Sequence, residues 1–252
     1  MTLWRKTGWA LVVLANAVLA QGCKEPIKGV ALGLFDTELS SRAIRTELES
    51  IQALGANTIS LPIYWYQQDV TSHEIRPYPE AGFDPVRYDD LVRTAIHQAH
   101  GVGLGVLLMP VVQLEQTGKG KWRGALQPVS WDLWFQSYEH FLLHYARLAQ
   151  EEEVTLFSVG SELSSSEVHV TRWRALIDRV RTIYRGELTY SANWDHYHPR
   201  LRLARQAGRS GDRRVVSGEM SPTNTVRPIP GHERALRSVA GSPIVVMTVL
   251  CQ

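Results

Sequence analysis

Between residues 28 and 192 the chain alternates between two kinds of hydrophobic pattern. Short, nearly continuous apolar runs suit strands covered on both faces, and longer stretches with apolar residues three and four apart suit amphipathic helices. The runs predict strands over 28–35, 57–64 and 102–112, a fourth through Val154, Leu156, Phe157 and Val159, and a fifth over 187–192. The periodic stretches predict helices over 40–54, 84–100, 130–150 and 166–185. Start and stop signals agree with this division. Ser40 or Ser41 caps the first helix, its Ile44, Leu48, Ile51 and Leu54 share a face, Gly55 ends it, and Asp84-Pro85 opens the second with a cap and a first-turn proline.

Five strands separated by four helices make a parallel sheet built from βα units, closed as a barrel or laid out as a doubly wound sheet. A doubly wound nucleotide-binding sheet calls for a glycine-rich phosphate loop after an early strand. The first strand instead runs into Leu34-Phe-Asp-Thr-Glu38. The expected fold is therefore α/β of the (β/α)8 TIM-barrel type, incomplete at about five βα units, with an irregular tail.

Composition changes the picture at the two ends. The 252 residues are 44% hydrophobic and 21% charged, ordinary for a globular protein. Arg5 and Lys6 precede an apolar stretch, Trp9 to Ala20, too short for a comfortable membrane span, so residues 1–22 read as an export signal. Leu19-Ala-Gln-Gly-Cys23 resembles a bacterial lipoprotein box, although its Leu stands four residues before the Cys rather than three. Cys23 is accordingly the candidate lipidation site; plain signal cleavage and an uncleaved anchor are the alternatives. Each of these locates the protein in the cell envelope or beyond. Cys251 is the only other cysteine, and neither a disulfide framework nor a metal site is suggested by spacing.

The net charge of +2 conceals an asymmetry, because the chain from Pro199 onward holds nine Arg, no Lys and three acidic residues. The mildly acidic body that remains argues against a nucleic-acid partner. No Trp, Tyr or Phe occurs after Tyr197, and helical periodicity stops there. The sequence divides into 1–22, a partial barrel over 23–197, and an atypical Arg-rich tail over 198–252. A GC-rich gene read in a shifted frame yields such a tail, and a frame change near His198 is the expectation; a natural Arg-rich extension is the alternative.

Chemistry is expected where strands run out. Glu162, in Val159-Gly-Ser-Glu-Leu163, places a carboxylate at the end of the fourth strand, where barrel enzymes build their active sites. Its plainer role would be a solvated first-turn acid of the next helix. Tyr64, Trp65 and Tyr66 follow the second strand, Gln113 and Glu115 the third, and Asn193, Trp194, Asp195, His196 and Tyr197 the fifth. Aromatic rings with amide and carboxylate partners suit a sugar, whose CH faces stack and whose hydroxyls need hydrogen bonds. Trp122, Trp131 and Trp134 are expected to pack against the barrel, His97, His140 and His144 to lie on the surface, and Glu151-Glu-Glu153 to be a solvated run.

These segments resemble a known family. Ala53-Leu-Gly-Ala-Asn-Thr-Ile-Ser-Leu61, Gly103-Leu-Gly-Val-Leu-Leu-Met-Pro110, Val159-Gly-Ser-Glu-Leu163 and Tyr190-Ser-Ala-Asn-Trp194, in that order, resemble the first five βα units of glycoside hydrolases of the large retaining (β/α)8 clan, nearest to the β-mannanases of family 113. The resemblance implies that Glu162 is the general acid/base, with Ser161 where many clan members carry Asn. It implies a β-linked polysaccharide such as mannan as substrate, bound by Tyr64, Trp65, Gln113, Asn193, Trp194, His196 and Tyr197. Hydrolysis of this type needs no cofactor, no metal-ligand spacing stands out, and the expected protein is a monomer whose membrane association runs through the lipid anchor at Cys23. A retaining mechanism needs a second carboxylate about 5 Å away. In the clan it ends the seventh strand, and Glu219 lies too close to the fifth strand for that position, near a sixth strand at best. The expected protein is an exported glycosidase that lacks its nucleophile strand. A carbohydrate-binding pseudoenzyme and a non-enzymatic envelope lipoprotein are the alternatives.

Overall fold

A computed structural model describes residues 27–35, 39–79 and 82–192 in full, with the backbone of 216–217 and 246–249. Five parallel strands, β1 (Ile27–Ala31), β2 (Thr58–Gln67), β3 (Gly105–Leu114), β4 (Leu156–Ser161) and β5 (Glu187–Ser191), lie side by side in chain order. Four helices join them: α1 (Ser41–Ala53), α2 (Pro85–Gly101), α3 (Trp131–Glu151) and α4 (Val170–Ile183). Sequential order separates a barrel wall from a doubly wound sheet, whose order reverses at a switch point. The wall is a curled half-barrel.

Both edges of this wall are paired. β6 (Val216–Ser217) lies parallel to β5, and β7 (Val246–Val249) runs antiparallel to β1, with Ile27 opposite Val249. These short strands cover parts of β5 and β1, and β6 and β7 become the outermost strands of the open sheet.

Local chemistry accounts for the helix starts. The Ser40 hydroxyl accepts from the Ala43 amide at 3.2 Å, Asp84 Oδ1 from Val86 at 2.9 Å, and the Ser130 hydroxyl from Leu133 at 3.3 Å. The last helix begins later than its periodicity suggests, at Val170, because Ser164–Ser166 form a separate 3-10 turn. β2 and β3 pair in unbroken register from Thr58 with Gly105 to Gln67 with Leu114. β2 thus runs three residues past its expected end, carrying Trp65 and Tyr66 into the sheet.

The core lies between the sheet and the helices. Ile59, Leu61 and Ile63 on β2, Val106 and Leu108 on β3 and Phe157 on β4 are fully buried there with Trp134, Tyr138, Phe141 and Trp173. Three polar side chains of this layer, Gln67, Trp134 and Tyr138, find partners. Gln67 accepts from Trp134 Nε1 at 2.9 Å and donates to the carbonyls of Asp69 and Ser72, and the Tyr138 hydroxyl donates to the Val159 carbonyl at 2.8 Å.

Candidate active site at the strand ends

β4 ends in an irregularity that aims one residue. Its register with β5 shifts between Ser158 and Ser161, and Gly160 sits where a Cβ would lie 2.8 Å from Tyr190 and 3.1 Å from Trp173, so only hydrogen fits. Two residues later Glu162 adopts φ 55°, the left-handed region. For a side chain with a Cβ that conformation costs roughly 1–2 kcal/mol, and such residues persist only where neighbours hold them.

The neighbours are specific. The Glu162 amide donates to the Ser191 carbonyl at 2.8 Å, and the Leu163 amide to the Tyr190 hydroxyl at 3.0 Å. Tyr190 in turn donates to Glu167 at 2.8 Å, while burial, with the Glu167 charge adding to it, pushes its phenol well above the ordinary tyrosine range. The phenol therefore keeps its proton. Trp173 Nε1 donates to Ser166, whose hydroxyl donates to the Leu163 carbonyl at 2.7 Å. Glu162 is thus not the first-turn acid of a helix; it stands in a fixed turn between a strand and a 3-10 turn.

Its carboxylate meets a cation. Arg123, opening a 3-10 turn in the β3–α3 loop, donates through Nε to Glu162 Oε2 at 3.1 Å and through Nη1 to Gln113 Oε1 at 3.2 Å. Both side chains of the ion pair are about a quarter exposed, open to a ligand from one side. Tyr64 lies within the field of Arg123: burial raises its phenol pKa, and the guanidinium charge offsets part of that rise. The ends of β2, β3 and β4 and one loop therefore converge on a carboxylate, a guanidinium, an amide and a phenol.

A groove of about 530 Å³ opens beside this cluster, lined by Phe35, Tyr64, Tyr66, Tyr78, Gln113 and Glu115 among others. Phe35 stacks on Tyr64 with ring centroids 6.0 Å apart, and Tyr66 meets Tyr78 at 4.9 Å. Arg76 donates to Glu115 at 3.0 Å, and its backbone pairs with Tyr66. The wall is laced together by Lys121 on Asp69 at 2.6 Å, by the Gln127 amide on the Val70 carbonyl and by the Val129 amide on Thr71. The Lys121 hydrogen bond also holds the Asp69 carboxyl below the usual carboxylate range.

Tyr64, Gln113 and Glu162 thus come together, but Trp65 does not join them. It is 7% exposed and stacks on Phe141 of α3 at 4.8 Å, with Tyr145 at its edge. Strand alternation is the reason: with Tyr64 and Tyr66 facing the groove, Trp65 must face the helices. Asn193, Trp194, His196 and Tyr197, like Cys23 and Glu219, lie outside the described residues.

Other expectations are corrected as well. Trp134 is fully buried, but Trp122 is 37% exposed. His97 and His140 are exposed, whereas His144 is half-buried with Nε2 2.7 Å from Asp89. Glu152 is not simply solvated; its side chain is 10% exposed and takes Arg93 and His97 as partners. Phe35, Tyr78 and Arg123 were not singled out by the sequence. A position at the end of β1 could have flagged Phe35, and the Pro/Tyr-rich loop Tyr78; nothing local flags Arg123, whose partner lies 39 residues on.

The family model of Glycoside Hydrolase Family 113 matches residues 33–202. Among solved structures the chain is similar to a GH113 β-mannanase from Alicyclobacillus acidocaldarius in complex with ManMIm, at 28% identity and a TM-score of 0.59, covering 67% of this chain and 55% of that one. It is also similar to a GH113 β-1,4-mannanase solved as a complex, at 27% identity and a TM-score of 0.58, covering 67% and 56%. The chain spans a little over half the length of these relatives. No curated protein matches it.

Proposed function

The chain belongs to glycoside hydrolase family 113, and from that membership we propose that its site acts on a β-1,4-linked mannan, with Glu162 as the general acid/base. The observation that carries the proposal is the placement of Glu162, held in a strained turn at the mouth of the half-barrel beside a tyrosine-lined groove. In this role the Glu162 carboxyl gives its proton to the departing glycosidic oxygen, and the carboxylate then takes one from the attacking water. Tyr64 and Gln113 bind the sugar next to the scissile bond. A retaining mechanism also requires a second carboxylate, which in the clan ends a seventh strand, and turnover depends on whether the chain after Ala192 supplies one.

The test is release of reducing sugar from β-1,4-mannan by the full chain and by Glu162→Gln. A fall of about a thousandfold or more in the variant supports the proposal, since removing a principal catalytic group costs orders of magnitude. Equal hydrolysis by both proteins overturns it. Mannan binding without hydrolysis by either protein supports the pseudoenzyme reading instead.

The same proposal places the protein in the cell envelope, exported by residues 1–22 and held by acylated Cys23. Support comes from Arg5, Lys6, the apolar stretch after them and the lipoprotein-like box. Labelling of the expressed chain with a radioactive fatty acid, lost in Cys23→Ser, is the expected result; label retained in the variant, or absent from both, removes the anchor from the proposal.

A further inference from the structure

We propose that the short tether between Cys23 and β1 stands the half-barrel on the membrane by its strand-start face. A phospholipid headgroup surface then lies beneath the α1–β2, α2–β3 and α3–β4 turns, and the groove opens away from the bilayer. This orientation rests on the acylation of Cys23 proposed above and adds the protein surface that meets the lipid.

Tether length and strand direction fix the orientation. Cys23 precedes Ile27, the first residue of β1, by four residues, and four residues span at most about 14 Å even when fully extended. The start of β1 is in turn pinned to the sheet: the Lys28 amide donates to Asn57 Oδ1 at 2.8 Å, and the Asn57 amide donates to the Lys28 carbonyl at 3.0 Å. The anchor therefore enters at the strand starts, whereas Glu162 and the groove lie at the strand ends. Gly29 pairs with Thr58, so Ile27 is level with position 56, ten residues before Tyr66 on the groove. At about 3.3 Å per residue and a strand tilt of about 36°, that is roughly 27 Å along the barrel axis. Contact of the bilayer with the strand-end rim would lift Ile27 about twice as far from the lipid as the tether reaches.

The strand-start face is shaped for a flat partner. Its connections are short, over 54–57, 102–104 and 152–155, and Gly55, Gly103 and Glu153 reverse the chain there with φ of 83°, 77° and 52°. On the opposite side the β2–α2 and β3–α3 connections run over 68–84 and 115–130 and stand up around the groove.

Chemistry divides the two faces as well. Among the described residues the exposed large apolar side chains are Phe35, Val86, Trp122, Val129, Leu133 and Val168, all in strand-end loops or the first turns of helices. Such a rim ordinarily marks a surface that enters lipid, but the tether holds it clear of the bilayer. Exposed positions on the strand-start turns include Gly55, Gly103, Glu153 and Arg185, which are small or charged. Nearby, Glu151 and Glu152 pair with Arg93, and Glu152 also with His97, so acids that would face anionic headgroups are partly matched. A face of this composition rests on hydrated headgroups without entering the hydrocarbon, and the acyl chains on Cys23 supply the attachment.

The experiment is fluorescence quenching in vesicles of phosphatidylethanolamine and phosphatidylglycerol that carry a nitroxide on the lipid headgroup. The acylated full chain, with Cys251→Ser to leave no other free thiol, receives one fluorophore at Ala53→Cys or His100→Cys on the strand-start face, or at Val129→Cys or Val168→Cys on the rim. All four positions are exposed, circular dichroism checks each fold, and co-flotation with the vesicles checks the anchor. Probes at 53 and 100 are expected to be quenched at least about fivefold more strongly than those at 129 and 168, because contact quenching fades within the distance between the two faces. A Gly/Ser spacer of about twenty residues inserted between Lys24 and Glu25, with a mean reach of about 25 Å, is expected to erase most of that difference. Equal quenching of the two faces, stronger quenching of the rim, or a difference that survives the spacer overturns the proposal. Failure of the acylation itself is distinct: wild type then stays behind in flotation as Cys23→Ser does, and the orientation falls with it.

Discussion

Arg123 Nε donates to Glu162 Oε2 at 3.1 Å while Glu162 holds φ at 55°, so the acid at the end of β4 is fixed twice, once through its side chain and once through its backbone. The two restraints separate by substitution. Glu162→Ala and Glu162→Gly both lose the ion pair, but only glycine is relieved of the left-handed strain. Glu162→Gly is therefore expected to be more stable than Glu162→Ala by about 1 kcal/mol, the reverse of their order in a helix. Urea denaturation of the two variants reads the difference directly; equal midpoints would remove strain from the account of this site.

The turn that carries Glu162 depends on a phenol from the next strand. Tyr190→Phe leaves the packing against Trp173 but deprives the Leu163 amide of its acceptor and Glu167 of its donor. Leaving a buried amide unmatched costs about 1–3 kcal/mol. The expected result is a loss of that size in unfolding free energy, read by urea denaturation. A variant as stable as wild type would mean that the Leu163 amide finds another partner.

Two aromatic residues, Trp65 on β2 and Phe35 after β1, are expected to behave in opposite ways. Trp65→Ala opens a cavity against Phe141 and Tyr145 and is expected to cost about 3–5 kcal/mol. Phe35→Ala removes a ring already 64% exposed and is expected to change stability by less than about 0.5 kcal/mol. Thermal denaturation decides between this assignment and a cleft-facing Trp65, whose removal would spare the fold and weaken sugar binding.

These contrasts mark what was legible in the sequence. The unbroken apolar run of β3 suited a strand covered on both faces, and Ser40 and Asp84 announced their helices because each places an oxygen where free amides wait. Glu162 was legible because a carboxylate following Gly160 and Ser161 has no place in a core. Trp65 was misread because Tyr64-Trp-Tyr66 looks like the start of a loop, and only register shows it to be strand with alternating faces. Arg123 was out of reach for a different reason: its partner is brought to it by the curl of the sheet, which no local pattern encodes.

A pH dependence follows from His169, which packs against Trp131 with ring centroids 4.5 Å apart at the start of α4. Burial, and secondarily the Arg172 charge, hold its imidazole below the ordinary value of 6.5, against a smaller opposing pull from Asp132. A base with a depressed folded pKa takes up its proton more readily when unfolded. Its contribution to stability is present in full above pH 6.5 and is lost as the pH falls through the lower folded value. Unfolding midpoints measured from pH 8 to 5 are expected to fall less steeply in His169→Gln than in wild type; identical slopes would exclude His169 from the acid sensitivity.

The tail carries the last expectation. The family match stops at residue 202, and every Trp, Tyr and Phe lies at or before Tyr197. Beyond that point β7 meets β1 antiparallel, whereas the closing strand of a (β/α)8 barrel must run parallel to its first. A segment evolved to complete the barrel would place a parallel strand beside β1 and supply the aromatic residues of a sugar cleft; the strand described beside β1 is antiparallel, and the segment after Tyr197 holds no aromatic residue. The proposal that the coding frame shifts near His198 explains the composition and the pairing together. Reading the coding DNA downstream of the Tyr197 codon in the two alternative frames is expected to uncover strand–helix alternation with aromatic residues and a glutamate ending a seventh strand. If neither frame contains them, the Arg-rich segment is native to the protein, and the second carboxylate must be sought within it, beginning with Glu219, two residues after β6.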